Sequence, residues 1–387
     1  MIYVGIDVAK DKHYCFISNS DGEVLFKALT IPNSLDGFNE LYSKICSVSE
    51  DLTKVKVELE ATGHYSYNLL GYLLDKGLPT FVINPLHTNL YRKSLSLRQT
   101  KTDKVDTLTI ASMLMSDVNL KSYSDTSYHN EELKSLTRYC FDKVKECAKL
   151  KTSVSLLVPI LFPELEKLVP TLHMKSVYSL LYEMPSAKAV SNSHLTHLTK
   201  LLESSSKGRY SKGTAILFRN AARNSIGQDM PAKSLELKHT IKLINELTDE
   251  IDEIKIIMDY INSPILSIPS INYRMGAMII AEIGDFNRFD SPDKILAYAG
   301  LSPSTYQSGQ LDFSYSHMEK RGSRYLRYAL FNATIYVCQW NPDFNAYLAK
   351  KRAEGKHYYV AISHAAKKLV RLIYHLEKTG QTFINAS

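Results

Sequence analysis

The stretch Lys101-Thr102-Asp103-Lys104-Val105-Asp106 sets two carboxylates three residues apart. On a helix that spacing puts them on one face, with Cβ atoms roughly 5–6 Å apart. Carboxylates that close repel unless positive charge sits between them, and Mg²⁺ favours hard oxygen ligands. The motif also has a plain reading, in which Asp103 caps an ordinary solvated helix. Two more acids bear on the choice. Asp7 lies near the end of the apolar run 2–8, and Glu60 ends the alternating run 54–60. Side chains at strand ends and on one helix face can converge at a sheet edge. Four carboxylates so placed can bind two metal ions about 4 Å apart for in-line phosphoryl chemistry.

The elements that must position these acids read in order. Residues 2–31 form three short strands, with Asp21-Gly22 as a turn signal. Asn33 or Ser34 can cap a helix to about residue 47, with Leu35, Phe38, Leu41, Tyr42 and Ile45 at helical spacing. Residues 54–60 alternate Val55, Val57 and Leu59 against Lys56, Glu58 and Glu60, which predicts a strand with one wet face. A helix over 67–76 is closed by Gly77. A strand follows over 80–83, then helices over 86–95 and 103–115. That order suits a mixed α/β sheet with a hairpin meander at one end, the ribonuclease H-like layout. Glu58 shares a face with Glu60 and reads either as a group behind the metal ligands or as an exposed charge.

Composition sets the bounds. The chain has 387 residues, 44% of them hydrophobic, enough for two or three domains with a sizeable core. No apolar run approaches the ~18–20 residues of a membrane span, and the N-terminus lacks a signal-peptide pattern. The five cysteines include no CxxC pair. Cys140 and Cys147 would sit about 10 Å apart on one helix, too far for a disulfide. Reduced thiols point to the cytoplasm. Net charge is +7, and residues 319–387 hold 12 Lys/Arg against 4 Asp/Glu. A basic end beside an acidic cluster points to a polyanion partner such as nucleic acid.

The rest of the chain reads as helical. Residues 131–157 form a long candidate helix stopped near Pro159 and Pro163, whereas 191–229 is Ser-, Lys- and Asn-rich with poor periodicity. Ser234 caps a helix whose apolar positions Leu237, Ile241, Ile244, Leu247, Ile251, Ile254 and Met258 form a heptad seam with one stammer. Such a seam either packs within one chain or pairs two chains. Residues 265–272 followed by an apolar helix over 273–283 look like a helix-hairpin-helix, which presents backbone N–H groups to a phosphate. Ser270 and Asn272 stand where glycine would permit the closest approach. Lys320, Arg324 and Arg327 fall at helical steps, with Arg321 beside them, and predict a basic helix over 320–327 that tracks backbone phosphates. Tyr298, Tyr306, Tyr315, Tyr325 and Tyr328 are interleaved aromatics able to stack on unpaired bases.

Three motifs carry a resemblance. Gly5-Ile6-Asp7-Val8-Ala9-Lys10, Glu60-Ala61-Thr62-Gly63-His64-Tyr65 and 101–106 resemble, in order and spacing, the signature of the insertion sequence 110 family of transposases. Leu296-Ala297-Tyr298-Ala299-Gly300-Leu301-Ser302-Pro303, Gln307-Ser308-Gly309 and Lys320-Arg321-Gly322-Ser323 are similar to its C-terminal domain. The resemblance implies a RuvC-like domain over 1–120 with Asp7, Glu60, Asp103 and Asp106 as ligands of two Mg²⁺ ions. It implies a helical, coiled-coil dimerisation region over 121–260. Over 261–387 it implies a mostly helical transposase domain in which Ser308 bonds covalently to DNA. It further implies donor and target DNA, a structured noncoding bridge RNA and homodimers or tetramers as partners, working in the cytoplasm at the nucleoid. The alternatives are a metal-dependent junction resolvase that uses the tetrad and water, and a nucleic-acid-binding protein with a degenerate site.

Overall fold

The computed structural model describes residues 1–60, 63–83, 88, 91, 93–94, 103–116, 125–258, 261–303, 307–308, 311–312 and 318–384. The side chains of residues 28, 63, 103–106, 108, 125–130, 307–308 and 311–312 lie outside that description. Most of the helix expected over 86–95 lies outside it too. The chain divides into two compact units, one of Met1–Glu132 with Gly284–Asp290 and one of Leu133–Ile283 with Ser291–Ser387.

The first unit is built on a five-stranded sheet. Its strands are β1 (Ile2–Asp7), β2 (Lys12–Asn19), β3 (Val24–Pro32), β4 (Val55–Glu60) and β5 (Thr80–Ile83), in the spatial order β3-β2-β1-β4-β5. β1, β2 and β3 form the antiparallel meander, and β4 and β5 join in parallel. Between them run α1 (Leu35–Val48), capped by Ser34 accepting from Gly37 N, and α2 (Tyr67–Asp75), followed by Gly77 at φ +71°. These are the elements and order expected of the ribonuclease H-like layout.

Strand alternation assigns the two faces. Val4 and Ile6 of β1, Val57 and Leu59 of β4, and Cys15 and Ile17 of β2 bury one face with Phe38, Leu41 and Ile45 of α1 and Leu69 and Leu73 of α2. The other face holds Tyr3, Gly5 and Asp7, with Lys56, Glu58 and Glu60 beside them. The helix α3 (Asp103–Ser116) packs across β1, β2 and β4 and buries Thr107, Ile110, Ala111 and Leu114. The expectation of a wet face on β4 therefore fails at Glu58, which is fully buried. Periodicity along β4 gives the face but not what covers it, and the cover arrives forty residues later in the chain.

The approach of α3 is close. A Cβ at Gly5 would lie 2.6 Å from Thr107 O and 2.8 Å from Ala111 N. Backbone atoms at that distance cannot rotate aside, so only glycine lets the helix sit on β1.

The second unit is helical. Its first long helix, α4 (Asp125–Leu161), begins in the first unit and runs through Pro159. The sequence predicts a stop near Pro159 and Pro163, and the helix ends at Leu161, between the two. A proline one turn from the end removes a single backbone hydrogen bond, and the buried Leu157, Val158 and Leu161 hold the last turn in the core. There follow α5 (Leu165–Leu168), α6 (Lys175–Glu183), α7 (Ala187–Asn192), α8 (Leu195–Ser205) and α9 (Lys212–Arg223). The stretch 191–229 thus holds two whole ordered helices, α8 and α9, whose Leu198, Leu202, Ala215, Phe218 and Ala222 are buried. Their lengths of 11 and 12 residues give few repeats from which a stripe could be read.

The helix α10 (Pro231–Met258) carries the heptad seam, and all seven seam residues are buried in one core with Cys140, Cys147, Val154 and Leu157 of α4. The seam packs inside the chain. Beyond it, α11 (Tyr273–Ile283) is preceded by a single 3-10 turn, Pro264–Ser267, in place of the first helix of the expected hairpin. Ser270 itself adopts φ +75°, and Asn272 Oδ1 accepts from Met275 N as the cap of α11. The unit closes with α12 (Pro292–Tyr298), the two-residue strands β6 (Gln307–Ser308) and β7 (Leu311–Asp312), α13 (Arg324–Trp340), α14 (Pro342–Ala353) and α15 (Tyr358–Thr379). Among the described residues no helix is long and apolar enough to cross a membrane.

Gly5→Ala is expected to destabilise the first unit by about 1–3 kcal/mol, the usual range for overpacking. Hydrogen exchange should show reduced protection in β1 and α3 while α13–α15 keep theirs. Unchanged protection in β1 and α3 would contradict the seating of α3 on Gly5.

Candidate catalytic and nucleic-acid-binding site

β1 and β4 run parallel in the register Gly5↔Glu58 and Ile6↔Leu59, so Asp7 and Glu60 follow as neighbours at the carboxyl ends of adjacent strands. Both side chains are half-buried. Strands in a sheet lie about 4.8 Å apart. Two carboxylates at that spacing repel, and a cation between them relieves the repulsion.

The direction of α3 follows from two contacts. Its middle, Thr107 and Ala111, meets Gly5. Its end, Met115, meets Ser18 at 4.0 Å, and Ser18 pairs with Tyr3 at the other end of β1. The helix therefore starts at the carboxyl ends of β1 and β4. From Gly5 to Asp7 the strand advances about 6.6 Å. The helix covers that distance in about four residues, which brings its backbone from the Thr107–Ala111 turn to the turn holding Asp103 and Asp106. The side chains of these two acids lie outside the described residues. The helix amino terminus also carries partial positive charge, which favours acids in its first turn.

All four predicted ligands are thus carried by the same end of one sheet and the helix on it, and all are hard oxygen donors, the chemistry a divalent cation of the Mg²⁺ kind prefers. Among the described residues no cluster of three or more His, Cys, Asp or Glu is placed to hold a metal ion. Glu58 is buried on the same face, directly beside Gly5. The sequence signal for it was its shared parity with Glu60.

Ser308 and the predicted cations belong to the second unit. The segment that carries Ser308 is braced where it leaves residue 303 and returns at residue 318. Pro303 and Met318 form an isolated bridge, Glu319 N donates to Ser302 O at 3.1 Å, and Lys320 N donates to Gly300 O at 3.2 Å. Within that segment Ser308 lies on β6, paired with Leu311 of β7, and its side chain lies outside the described residues.

Two glycines make this bracing possible. Gly300 at φ +66° would bring a Cβ to 2.4 Å from Arg321 O, and Gly322 at φ +113° would bring one to 2.2 Å from Tyr298 O. The turn after α12 and the turn before α13 interlock backbone to backbone. The predicted basic helix over 320–327 is accordingly corrected. Lys320 adopts φ +54°, Gly322 a positive φ, and α13 begins at Arg324 after the cap Ser323, whose Oγ accepts from Leu326 N. Lys320 and Arg321 are exposed on the turn, and Arg324 is exposed at the first helical position. Arg327 is half-buried, and its Nη1 donates to Ala299 O at 3.0 Å and Lys320 O at 3.3 Å. It fastens the two turns together, where the sequence reading gave it to a phosphate.

Ser323 is itself held from below. Its Oγ donates to Glu282 Oε2 at 2.5 Å. Glu282 has a fully buried side chain and takes Nε and Nη2 of Arg138 at 2.5 and 3.0 Å. The Arg138 guanidinium also lies 4.8 Å from the Tyr325 ring centroid. One carboxylate thus ties α4, α11 and the start of α13. Of the interleaved tyrosines, Tyr325 and Tyr328 pack edge-on to Phe141 at 5.2 and 4.7 Å, while Tyr306 and Tyr315 lie outside the described residues. Sequence reasoning missed Glu282, whose place in the apolar run of α11 looks like a solvated acid until its partners arrive from residues 138 and 323.

Comparison with known proteins adds the following. A DEDD-type transposase profile named for IS110 matches residues 4–163, and a profile described as "Transposase IS116/IS110/IS902 family" matches residues 262–349. The pilin gene-inverting protein of Moraxella lacunata is 24% identical over 98% of this chain and 97% of its own length. A 44.8 kDa protein of insertion element IS116 from Streptomyces clavuligerus is 24% identical over 100% of this chain and 96% of its own. Among solved structures, T. thermophilus RuvC in complex with a Holliday junction substrate aligns over 32% of this chain and 99% of its own, with 13% identity and a TM-score of 0.24.

Glu282→Ala is expected to cost the second unit about 2–3 kcal/mol, below the ~3–5 kcal/mol of a wholly buried pair because Arg138 keeps 38% of its side chain in water. Urea denaturation of the full chain should show the loss. Arg138→Lys should recover only part of it, since lysine cannot make the paired donation. Equal stability of Glu282→Ala and wild type would refute the role given to this carboxylate.

Proposed function

The chain belongs to the IS110 family of transposases, and on that premise we propose that it recombines DNA through a carboxylate tetrad and a serine nucleophile. The observation that carries this reading is the placement of Asp7, Glu60 and the first turn of α3 at one end of one sheet. Asp7, Glu60, Asp103 and Asp106 would hold divalent cations, two Mg²⁺ ions in this reading. Bound there, such cations stabilise charge on phosphoryl oxygens and lower the pKa of an attacking hydroxyl.

The chain's own groups do the rest. Ser308 Oγ attacks the phosphorus of a DNA phosphodiester, giving up its proton. The bond from phosphorus to the strand oxygen breaks, and that oxygen leaves as a strand hydroxyl after taking a proton. The result is a phosphoserine link. A second strand hydroxyl then attacks the same phosphorus and releases Ser308. The number of phosphoester bonds is conserved at each step and no water is consumed. Serine is a weak nucleophile at neutral pH and needs such activation. The braced root at Gly300 and Gly322 limits the positions from which Ser308 can act, which is the part the protein plays in phosphoryl transfer. Lys320, Arg321 and Arg324 neutralise strand phosphates. The same reading takes donor and target DNA as substrates, a structured noncoding RNA as guide, and a dimer or tetramer as the working form at the nucleoid.

The test is covalent trapping. Wild-type protein with donor DNA, target DNA, Mg²⁺ and the element's RNA should give a protein–DNA adduct that survives denaturation. Ser308→Ala should remove it, and Asp7→Asn should lower it by about a hundredfold or more. Cleavage that persists in Ser308→Ala without any adduct would establish a hydrolytic nuclease of the junction-resolving kind. Omitting the RNA without effect would remove the guide from the reading.

A further inference from the structure

Beside the root of the segment that carries Ser308 lies an open cleft of about 450 Å³. It is lined by Met318, Lys320, Arg324, Phe331, Tyr359 and Ser363 among others. A second hollow of about 270 Å³ shares Met318 and Ser363 and reaches Pro303, His364 and Lys367. Met318 and Pro303 are the bridged pair that flanks the segment carrying Ser308. The cleft is therefore next to the segment that carries Ser308, within one unit.

Its chemistry is of two kinds. Lys320, Arg324 and Arg327 give it three cations, of which Arg327 is bonded to backbone, and the residues lining the cleft include no acid. His364, in the adjoining hollow, has its pKa lowered first by burial and then by Lys356, Lys351 and Lys367, with Glu354 opposing. Beside them stand flat aromatic surfaces, Phe331 from the same helix as Arg324 and Tyr359 from α15. The Phe331 and Tyr359 ring centroids are 6.2 Å apart with planes inclined by 33°. Tyr359 leaves 59% of its surface in water, and His357 and Tyr358 stand 5.8 and 5.4 Å from it. An exposed aromatic group with no apolar partner on its outer side is costly to keep in water.

We propose that this cleft receives one unpaired nucleotide of a nucleic-acid strand, with its base stacked on Tyr359 and Phe331 and its phosphate between Lys320 and Arg324. A base offers a flat π-face to Tyr359 and its phosphate offers negative charge to Lys320 and Arg324, the combination that single-strand grooves use. The volume falls in the range of ~300–1,000 Å³ that holds a small ligand group. Paired bases inside a duplex present edges and no free face, so the cleft selects a strand that is unstacked beside the serine. Exchange of strands requires such a nucleotide, because the broken strand must leave one duplex before joining another. The inference rests on the reading of the chain as a DNA recombinase, and names the part of the substrate that the second unit holds.

The experiment is binding by fluorescence anisotropy with the full-length chain and no divalent cation, so that no chemistry intervenes. The probes are a labelled oligothymidylate and a labelled duplex of the same length. Tyr359→Ala should weaken binding of the single strand by about 10- to 100-fold and leave the duplex unchanged, while Tyr359→Phe should bind as wild type. Lys320→Ala should weaken both and reduce the slope of log affinity against log salt by about one. With 2-aminopurine in the single strand, binding to wild type should quench its fluorescence, a readout that needs no variant. Single-strand affinity of Tyr359→Ala within about twofold of wild type, equal loss on the duplex, or no quenching would each overturn the proposal. The covalent-trapping assay fails or succeeds separately. Adduct formation with no dependence of strand binding on Tyr359 would reject the cleft alone, and Tyr359-dependent binding with no adduct would reject the serine mechanism alone.

Discussion

The first unit depends on one contact, the seating of α3 on Gly5. The sheet by itself offers Asp7 and Glu60 at the ends of β1 and β4, side by side and repelling. Only when a helix lies across β1 at backbone distance do two more acids start from the same end. The missing Cβ at Gly5 sets that distance, since Thr107 O and Ala111 N occupy the space it would fill. The same helix covers Glu58 and so turns a strand with one polar face into one buried on both. A fully buried carboxylate is expensive unless its surroundings are polar or charged.

The second unit repeats the device with different chemistry. Gly300 and Gly322 let two turns interlock, and Arg327 bonds across them to Ala299 O and Lys320 O. Below the turns, Glu282 collects Arg138 and Ser323. A buried ion pair of this kind is weak evidence of stability, because desolvation offsets much of its attraction. What it does supply is direction. The paired donation of a guanidinium and the short bond from Ser323 fix where α13 starts, and hence where Lys320 and Arg324 face the cleft. Loss of either unit's close contact would leave the side chains proposed for phosphoryl transfer present but out of position, where small displacements matter.

The alternation in β4, the cap at Ser34, the Gly77 stop and the strand 80–83 were legible because each is set by neighbours within a turn or a few residues. The heptad seam of α10 was legible as a seam and silent about its partner. Its seven residues share one core with α4 and α6 of the same chain, a choice that rests on residues tens of positions away. The stretch 191–229 resisted reading because short helices repeat too few times to show a period. Lys320 looked helical from its spacing to Arg324 and Arg327, yet its positive φ belongs to the turn that Gly322 makes.

By itself the sequence determined the strand and helix order of the first unit, the acids at that unit's strand ends and in the first turn of α3, and the basic character of the chain's last 69 residues. These follow from residue type, spacing and charge, which are local or additive. Tertiary structure alone decided that Glu58 is buried, that Glu282 is the junction of three helices, that Arg327 binds backbone rather than facing solvent, and that Phe331 and Tyr359 share a cleft with Lys320. Each of those is a meeting of residues distant in the chain, and burial is a property of the meeting.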